Sequence, residues 1–162
     1  MNNSDIQEID IYTDGSCHTQ QLAGAWVAII LWDDEKVILS GTENNTTHNR
    51  MELLAVIEAI AYINKRFTML NNIRIYSDSQ YVTELPARKQ KLETASFLSK
   101  KGTPVHNHLL LQLLFEKIDT NNLQFEKIKA HQKKNTVINY NIEADILCRK
   151  LLREIINNTI PL

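Results

Sequence analysis

Apolar and polar residues alternate between positions 7 and 13, where Ile9 and Ile11 are set among polar neighbours (QEIDIYT). A period of two places both isoleucines on one face of a strand. Positions 22 to 32 form a nearly unbroken, β-rich apolar run, which predicts a second and more buried strand. Positions 36 to 42 (KVILSGT) predict a third. The connections are short, so these three strands should form an antiparallel meander. The period then changes. Leu53, Val56, Ile57, Ile60 and Ile63 recur every three or four residues, which predicts an amphipathic helix over 49–65. A fourth strand follows over 72–77 (NIRIYS), then a short helix over 78–85 stopped by Pro86, and another over 87–101 stopped by Gly102. A leucine-rich helix is expected over 106–118 and a fifth strand over 123–130 (LQFEKIKA). The last helix, 141–156, carries the stripe Ala144, Leu147, Cys148, Leu151 and Ile155.

Three strands in succession, then strands alternating with helices, predict an α/β fold of mixed α+β character. The later strands should join in parallel through crossovers. The expected architecture is one five-stranded mixed sheet, three strands antiparallel and two parallel, with helices packed on it. No composition shift marks an internal boundary, so positions 1–162 are read as a single domain with a core over about 7–156.

Composition narrows the class. The chain has 162 residues, 43% hydrophobic and 23% charged, and a globular protein of this size buries a sizeable core without staples. Its apolar runs are too short for a membrane-spanning helix. The opening residues MNNSDIQEID are polar and acidic, unlike a secretory signal. The two cysteines, Cys17 and Cys148, form no metal or redox pair motif. A cytoplasmic protein with reduced thiols is expected. The net charge of −1 argues against a passive polyanion binder, but the distribution is uneven. Positions 85–104 hold Arg88, Lys89, Lys91, Lys100 and Lys101 against Glu93 alone, a net +4 on a chain of −1, so the remainder carries −5. A basic patch on an acidic body is one footprint of a nucleic-acid binder. It is also what an exposed, solvated helix looks like.

Four acids stand at the ends of these elements. Asp14 follows the first strand and Asp78 the fourth. If those strands are parallel neighbours, both aspartates emerge at the same sheet end, about one strand spacing of roughly 4.8 Å apart. Glu52 is expected in the first turn of the long helix and Asp145 in the first turns of the last, each flanking the apolar stripe. Each has a structural explanation taken singly. Asp14-Gly15 is a turn dipeptide, Asn49 to Glu52 fits a capping box, Asp78 fits a helix cap, and Asp145 stands near Arg149. Taken jointly, four like charges at one edge raise one another's pKa and need a counter-charge. An all-carboxylate set suits Mg²⁺ or Mn²⁺ and not zinc. Two such cations roughly 3.5–4 Å apart activate water and stabilise a leaving oxygen. The residues therefore point to metal-dependent phosphodiester hydrolysis.

The strings IYTDGSC (11–17), TTHNRMEL (46–53), IYSDSQYV (75–82), KAHQ (129–132) and NIEAD (141–145) resemble, in order, the successive motifs of type 1 ribonuclease H. The resemblance implies the ribonuclease H-like sheet. It implies endonucleolytic cleavage of the RNA strand of an RNA–DNA hybrid, leaving 5′-phosphate and 3′-hydroxyl ends. Asp14, Glu52, Asp78 and Asp145 match the four metal-binding carboxylates, with two Mg²⁺ ions as cofactors and Mn²⁺ as substitute. His131 matches a histidine that shuttles protons or helps product leave. Gln80 and Asn49 match minor-groove contacts, Thr47 and Asn107 a pocket for a DNA-strand phosphate, and Gly15, Ser16 and His48 further substrate-facing positions. Positions 87–103 match the family's basic protrusion, so Arg88, Lys89, Lys91 and Lys100 are expected on phosphates.

The chain departs from the family in four places. His18-Thr19-Gln20-Gln21-Leu22 replaces a glycine- and proline-rich loop. His48 stands where asparagine is usual. The protrusion has Phe97 but no tryptophan, and the loop after His131 has no glycine. No room is left for a separate hybrid-binding domain, so a stand-alone enzyme or an excised domain is expected, monomeric and without an obligate protein partner or a membrane. Two other readings compete. A non-catalytic hybrid-binding module is disfavoured because no carboxylate is lost. Another two-metal nuclease of this fold acting on DNA is disfavoured by the SDSQYV string.

Overall fold

A computed structural model describes residues 7–68, 72–129 and 139–159. Five strands form one sheet: β1 (Glu8–His18), β2 (Ala23–Trp32), β3 (Glu35–Glu43), β4 (Asn72–Ser77) and β5 (Asn122–Lys127), in the order β3-β2-β1-β4-β5. β1–β2 and β2–β3 are antiparallel, whereas β1–β4 and β4–β5 are parallel. The expected sheet is the observed one.

The helices are α1 (His48–Arg66), α2 (Gln80–Thr83), α3 (Leu85–Thr94), α4 (His108–Thr120) and α5 (Tyr140–Thr159). They cover both faces. Ile9 and Ile11 of β1, Ala28 and Ile30 of β2, and Ile73 and Ile75 of β4 pack with α1, α3 and α4 through Leu53, Ile60, Leu92, Leu114 and Phe115. On the opposite face, Ala25, Val27 and Ile29 of β2 meet Ala144 and Cys148 of α5. This two-sided burial is why β2 reads as a continuous apolar run. No helix among the described residues is long and apolar enough to cross a membrane.

Several boundaries differ from expectation, β5 for one ending at Lys127 and not at 130, and those of β1, α1 and α3 have a local reason. β1 does not stop at Thr13. Its pairing with β4 ends at Tyr12–Tyr76, but pairing with β2 continues to His18–Ala23. Asp14-Gly15 is therefore strand and not turn. α1 is capped by Thr47, whose side chain accepts from the Arg50 N–H, so Asn49 lies inside the helix and Glu52 falls in the second turn rather than in a capping box. The basic segment is not one helix to Lys101. Pro86 sits in the first turn of α3 instead of ending a helix, a position where its missing N–H costs nothing. α3 ends at Thr94, and Ser96 and Phe97 take left-handed φ values of 50° and 57°. That reversal brings the Phe97 ring to 5.8 Å from Phe115. Gly102, with φ of 76°, lies in the tight turn beyond, where Ser99 and Thr103 bond each other.

Candidate active site

Parallel pairing of β1 and β4 brings Asp14 and Asp78 to one end of the sheet. Asp14 points to the α5 face, as Asp10 and Tyr12 do. Glu52 arrives from the other layer. Its helix can approach because position 15 has no side chain: a Cβ there would lie 2.5 Å from Glu52 N and 2.7 Å from the Met51 carbonyl carbon. The Gly15 N–H in turn donates to the Glu52 carboxylate. Donor oxygens of Asp14, Glu52 and Asp78 all lie within 4.8 Å of one another. Asp145 of α5 lines the same cleft, with Gly15, Ser16, His48, Ser79 and Arg149, but stands outside that set of three. Its Oδ1 accepts from Arg149 Nε at 2.8 Å.

Burial sharpens the repulsion. Asp14 is 7% exposed and Glu52 1%. Loss of hydration, then the charges of Glu52, Asp78 and Asp145, push the Asp14 carboxyl up to about 7. Burial also raises Glu52, against the pull of His48 and the Gly15 N–H. His48 Nε2 lies 3.3 Å from Glu52 Oε1, and this bond raises the imidazole. Cys148, under the cluster, donates to the Ala25 carbonyl at 3.2 Å and to the Asp14 carbonyl at 3.8 Å. Burial drives its thiol far upward, so it is inert packing.

This donor set fits a hard divalent cation. All donors are carboxylate oxygens, and Glu52 Oε2 is buried with no hydrogen-bond partner. A buried acceptor facing two more acids is stabilised only by a proton or a cation.

The comparisons agree with this geometry. The family model described as RNase H matches residues 6–153. The chain belongs to the RNase H family. The ribonuclease H of Caldicellulosiruptor saccharolyticus is 32% identical over 151 residues, covering 92% of this chain and 99% of its own length. That of Wolbachia sp. subsp. Drosophila simulans is 37% identical over 150 residues, covering 90% and 96%. Among solved structures, a type 1 RNase H with the type 2 active-site motif superposes with a TM-score of 0.79 at 18% identity, covering 94% of this chain and 75% of that one. The PFV RNase H domain gives 0.67 at 22% identity, covering 93% and 94%. Membership makes the chain a nuclease, and the fold its motifs implied is present.

The other residues expected from the motifs lie in different places. Gly15, Ser16 and His48 line the cleft. Thr47 and Asn49 are exposed at the start of α1, where Thr47 is occupied as the cap. Gln80 opens α2 and donates to Glu84. Asn107 precedes α4 with a left-handed φ of 59° and makes no side-chain cap bond. Arg88, Lys91 and Lys100 are exposed. Lys89 differs from expectation: it pairs with Glu93 at 2.8 Å and Asp119 at 2.9 Å, with its side chain 18% exposed. Its ammonium ties α3 to α4 and is committed to two acids rather than offered to phosphates. His131 lies outside the described residues. Ser79 and Arg149 were not singled out from sequence as cleft residues. Their signals were a cap position (Ser79 accepts from Val82 N) and the i,i+4 spacing from Asp145.

Proposed function

We propose that this chain hydrolyses the RNA strand of RNA–DNA hybrids with the help of two divalent cations, Mg²⁺ in the cell and Mn²⁺ as a substitute, acting as a monomer in the cytoplasm. One observation carries the reading: three buried or half-buried acids share a space 4.8 Å across at the end of the parallel strands. Asp14, Glu52, Asp78 and Asp145 are the residues to hold the cations. When bound, the cations would lower the pKa of an attacking water and neutralise charge on the phosphodiester.

The chain's own groups do the rest. Asp14 and Asp78, fixed by the β1–β4 register, would set where the cations sit and so where the phosphate can approach. Gly15, Ser16 and the exposed side chains of Asn49 and Gln80 face the duplex, where a 2′-hydroxyl separates RNA from DNA. His48 extends this surface from the Glu52 end. Thr47 and Asn107 offer polar contacts to a DNA-strand phosphate, and Arg88, Lys91 and Lys100 add charge from the protrusion. Water oxygen bonds to phosphorus, the P–O3′ bond breaks, and the 3′-oxygen takes up a proton. His131 is assigned to that proton traffic, since imidazole titrates near neutrality.

The test uses end-labelled RNA–DNA, RNA–RNA and DNA–DNA duplexes with Mg²⁺ or with EDTA. Cleavage confined to the RNA of the hybrid, dependent on Mg²⁺ and leaving 5′-phosphates, is the expected result. Cutting of DNA duplexes, or binding without cleavage, overturns it.

A further inference from the structure

Among the described residues that line the cleft is an arginine whose role the four-acid site does not explain. Arg149 stands one helical turn beyond Asp145, and both line the cleft with Asp14, Glu52 and Asp78. Its Nε donates to Asp145 Oδ1 at 2.8 Å. The three other acids converge within 4.8 Å, and Asp145 is the one held apart from them. The pair is half open to water, with side chains 51% and 33% exposed. It is therefore easily exchanged and not a buried structural bridge.

We infer that Arg149 is a positioning residue that competes with a second divalent cation for Asp145. The inference rests on the proposed two-cation reading of the site. Asp14, Glu52 and Asp78 suffice to hold one cation. A second needs Asp145, and to obtain it must displace the guanidinium and then sit near its positive charge. The first cation thus binds to ready ligands, whereas the second meets a ligand already occupied. The guanidinium also has a natural alternative partner, because its planar fork matches a phosphate as well as a carboxylate. A scissile-strand phosphate entering the cleft would take Arg149 and release Asp145. Occupancy of the second cation site would then follow substrate binding. In the free protein, Arg149 keeps the fourth acid neutralised.

The test counts Mn²⁺ bound to substrate-free protein by the loss of the free-ion EPR signal, for wild type, Arg149→Met and Arg149→Lys. Methionine keeps length and apolar contact but removes the charge. Two classes of Mn²⁺ site are expected in wild type. In Arg149→Met the weaker class should tighten about tenfold, the scale of one unit charge beside a dication at a wet surface. The stronger class should stay within about twofold. Arg149→Lys keeps a charge and should lie between wild type and Arg149→Met. Unchanged or weakened second-site affinity in Arg149→Met overturns the inference, as does one class of site in all three proteins. A lower Tm with unchanged Mn²⁺ binding would assign Arg149 to helix packing alone and also overturns it. Hybrid cleavage by wild type is measured alongside. Failure to cut hybrid removes the proposed function without touching the Mn²⁺ result, and cleavage with unaltered Mn²⁺ binding in Arg149→Met removes this inference alone.

Discussion

Tyr12 and Tyr76 lie ring on ring, with centroids 4.6 Å apart and planes 12° from parallel. They stand two residues before Asp14 and Asp78. Two residues earlier, Arg74 bonds Asp10 at 2.7 Å. Along one face of the β1–β4 seam the pairs thus run from opposite charge to aromatic to like charge. The first two hold the strands together where the third pushes them apart. Tyr76→Ala should lower the unfolding free energy by about 1–2 kcal/mol, the scale of a stacked pair with its burial. Urea titrations should show a larger loss in EDTA than in Mg²⁺, where the acids no longer repel.

Asp14 gives the fold a pH dependence. Its carboxyl ordinarily titrates near 3.8 and here is pushed up to about 7. Between those values the folded state keeps a proton that the unfolded chain has released. Metal-free protein should therefore gain stability as pH falls from about 7 towards 4 and lose it as pH rises, by about 4 kcal/mol at most. Asp14→Asn has no proton to lose. It should melt higher than wild type at pH 8 in EDTA, by about 1–3 kcal/mol of unfolding free energy, while hybrid cleavage falls by about a thousandfold or more. Thermal melts across pH with and without Mg²⁺ check the stability claim. A flat profile for metal-free wild type would contradict it.

Gly15→Ala tests how Glu52 reaches the cleft. The added methyl meets backbone, at 2.5 Å from Glu52 N and 2.7 Å from the Met51 carbonyl carbon, and backbone cannot rotate away. α1 must back off from β1. A loss of about 1–3 kcal/mol of stability is expected, with kcat falling further than KM rises because Glu52 leaves the cluster. Steady-state kinetics beside chemical denaturation separate the two effects.

The architecture was legible because its two periods are clean. Alternation in β1 and the Leu53-to-Ile63 stripe of α1 fixed the elements, and Asp14 and Asp78 came together on the condition that β1 and β4 are parallel neighbours, as they are. Less legible was anything settled by competition between neighbours. Thr47 took the cap that Asn49 also fits. Pro86 opened a helix instead of closing one. β1 ran past its parallel partner because β2, on its other side, was still there to pair with. Lys89 read as one more lysine in a basic run, since Asp119 reaches it only through the packing of α3 on α4.

That difference among the lysines yields separable phenotypes. Lys91→Ala and Lys100→Ala should raise KM for hybrid and flatten the salt dependence of binding, by about one unit of log–log slope for each phosphate that the variant no longer neutralises. Lys89→Ala should instead lower Tm and leave the salt slope unchanged. KM across a salt series, with a melt for each variant, distinguishes them. Equal slopes in all three variants and wild type would place the hybrid's phosphates elsewhere.

The parallel crossover also sets the timing of the enzyme's appearance. On its other edge from β2, β1 must wait for a parallel partner far along the chain, as the 64-residue separation of Asp10 and Arg74 shows. During synthesis the meander and α1 can form with Asp14 and Glu52 in hand. Asp78 emerges later, and Asp145, on the last helix, later still. The four-acid cleft is thus completed only once α5 has been made. Until then a growing chain holds three of the cleft's acids and lacks the fourth.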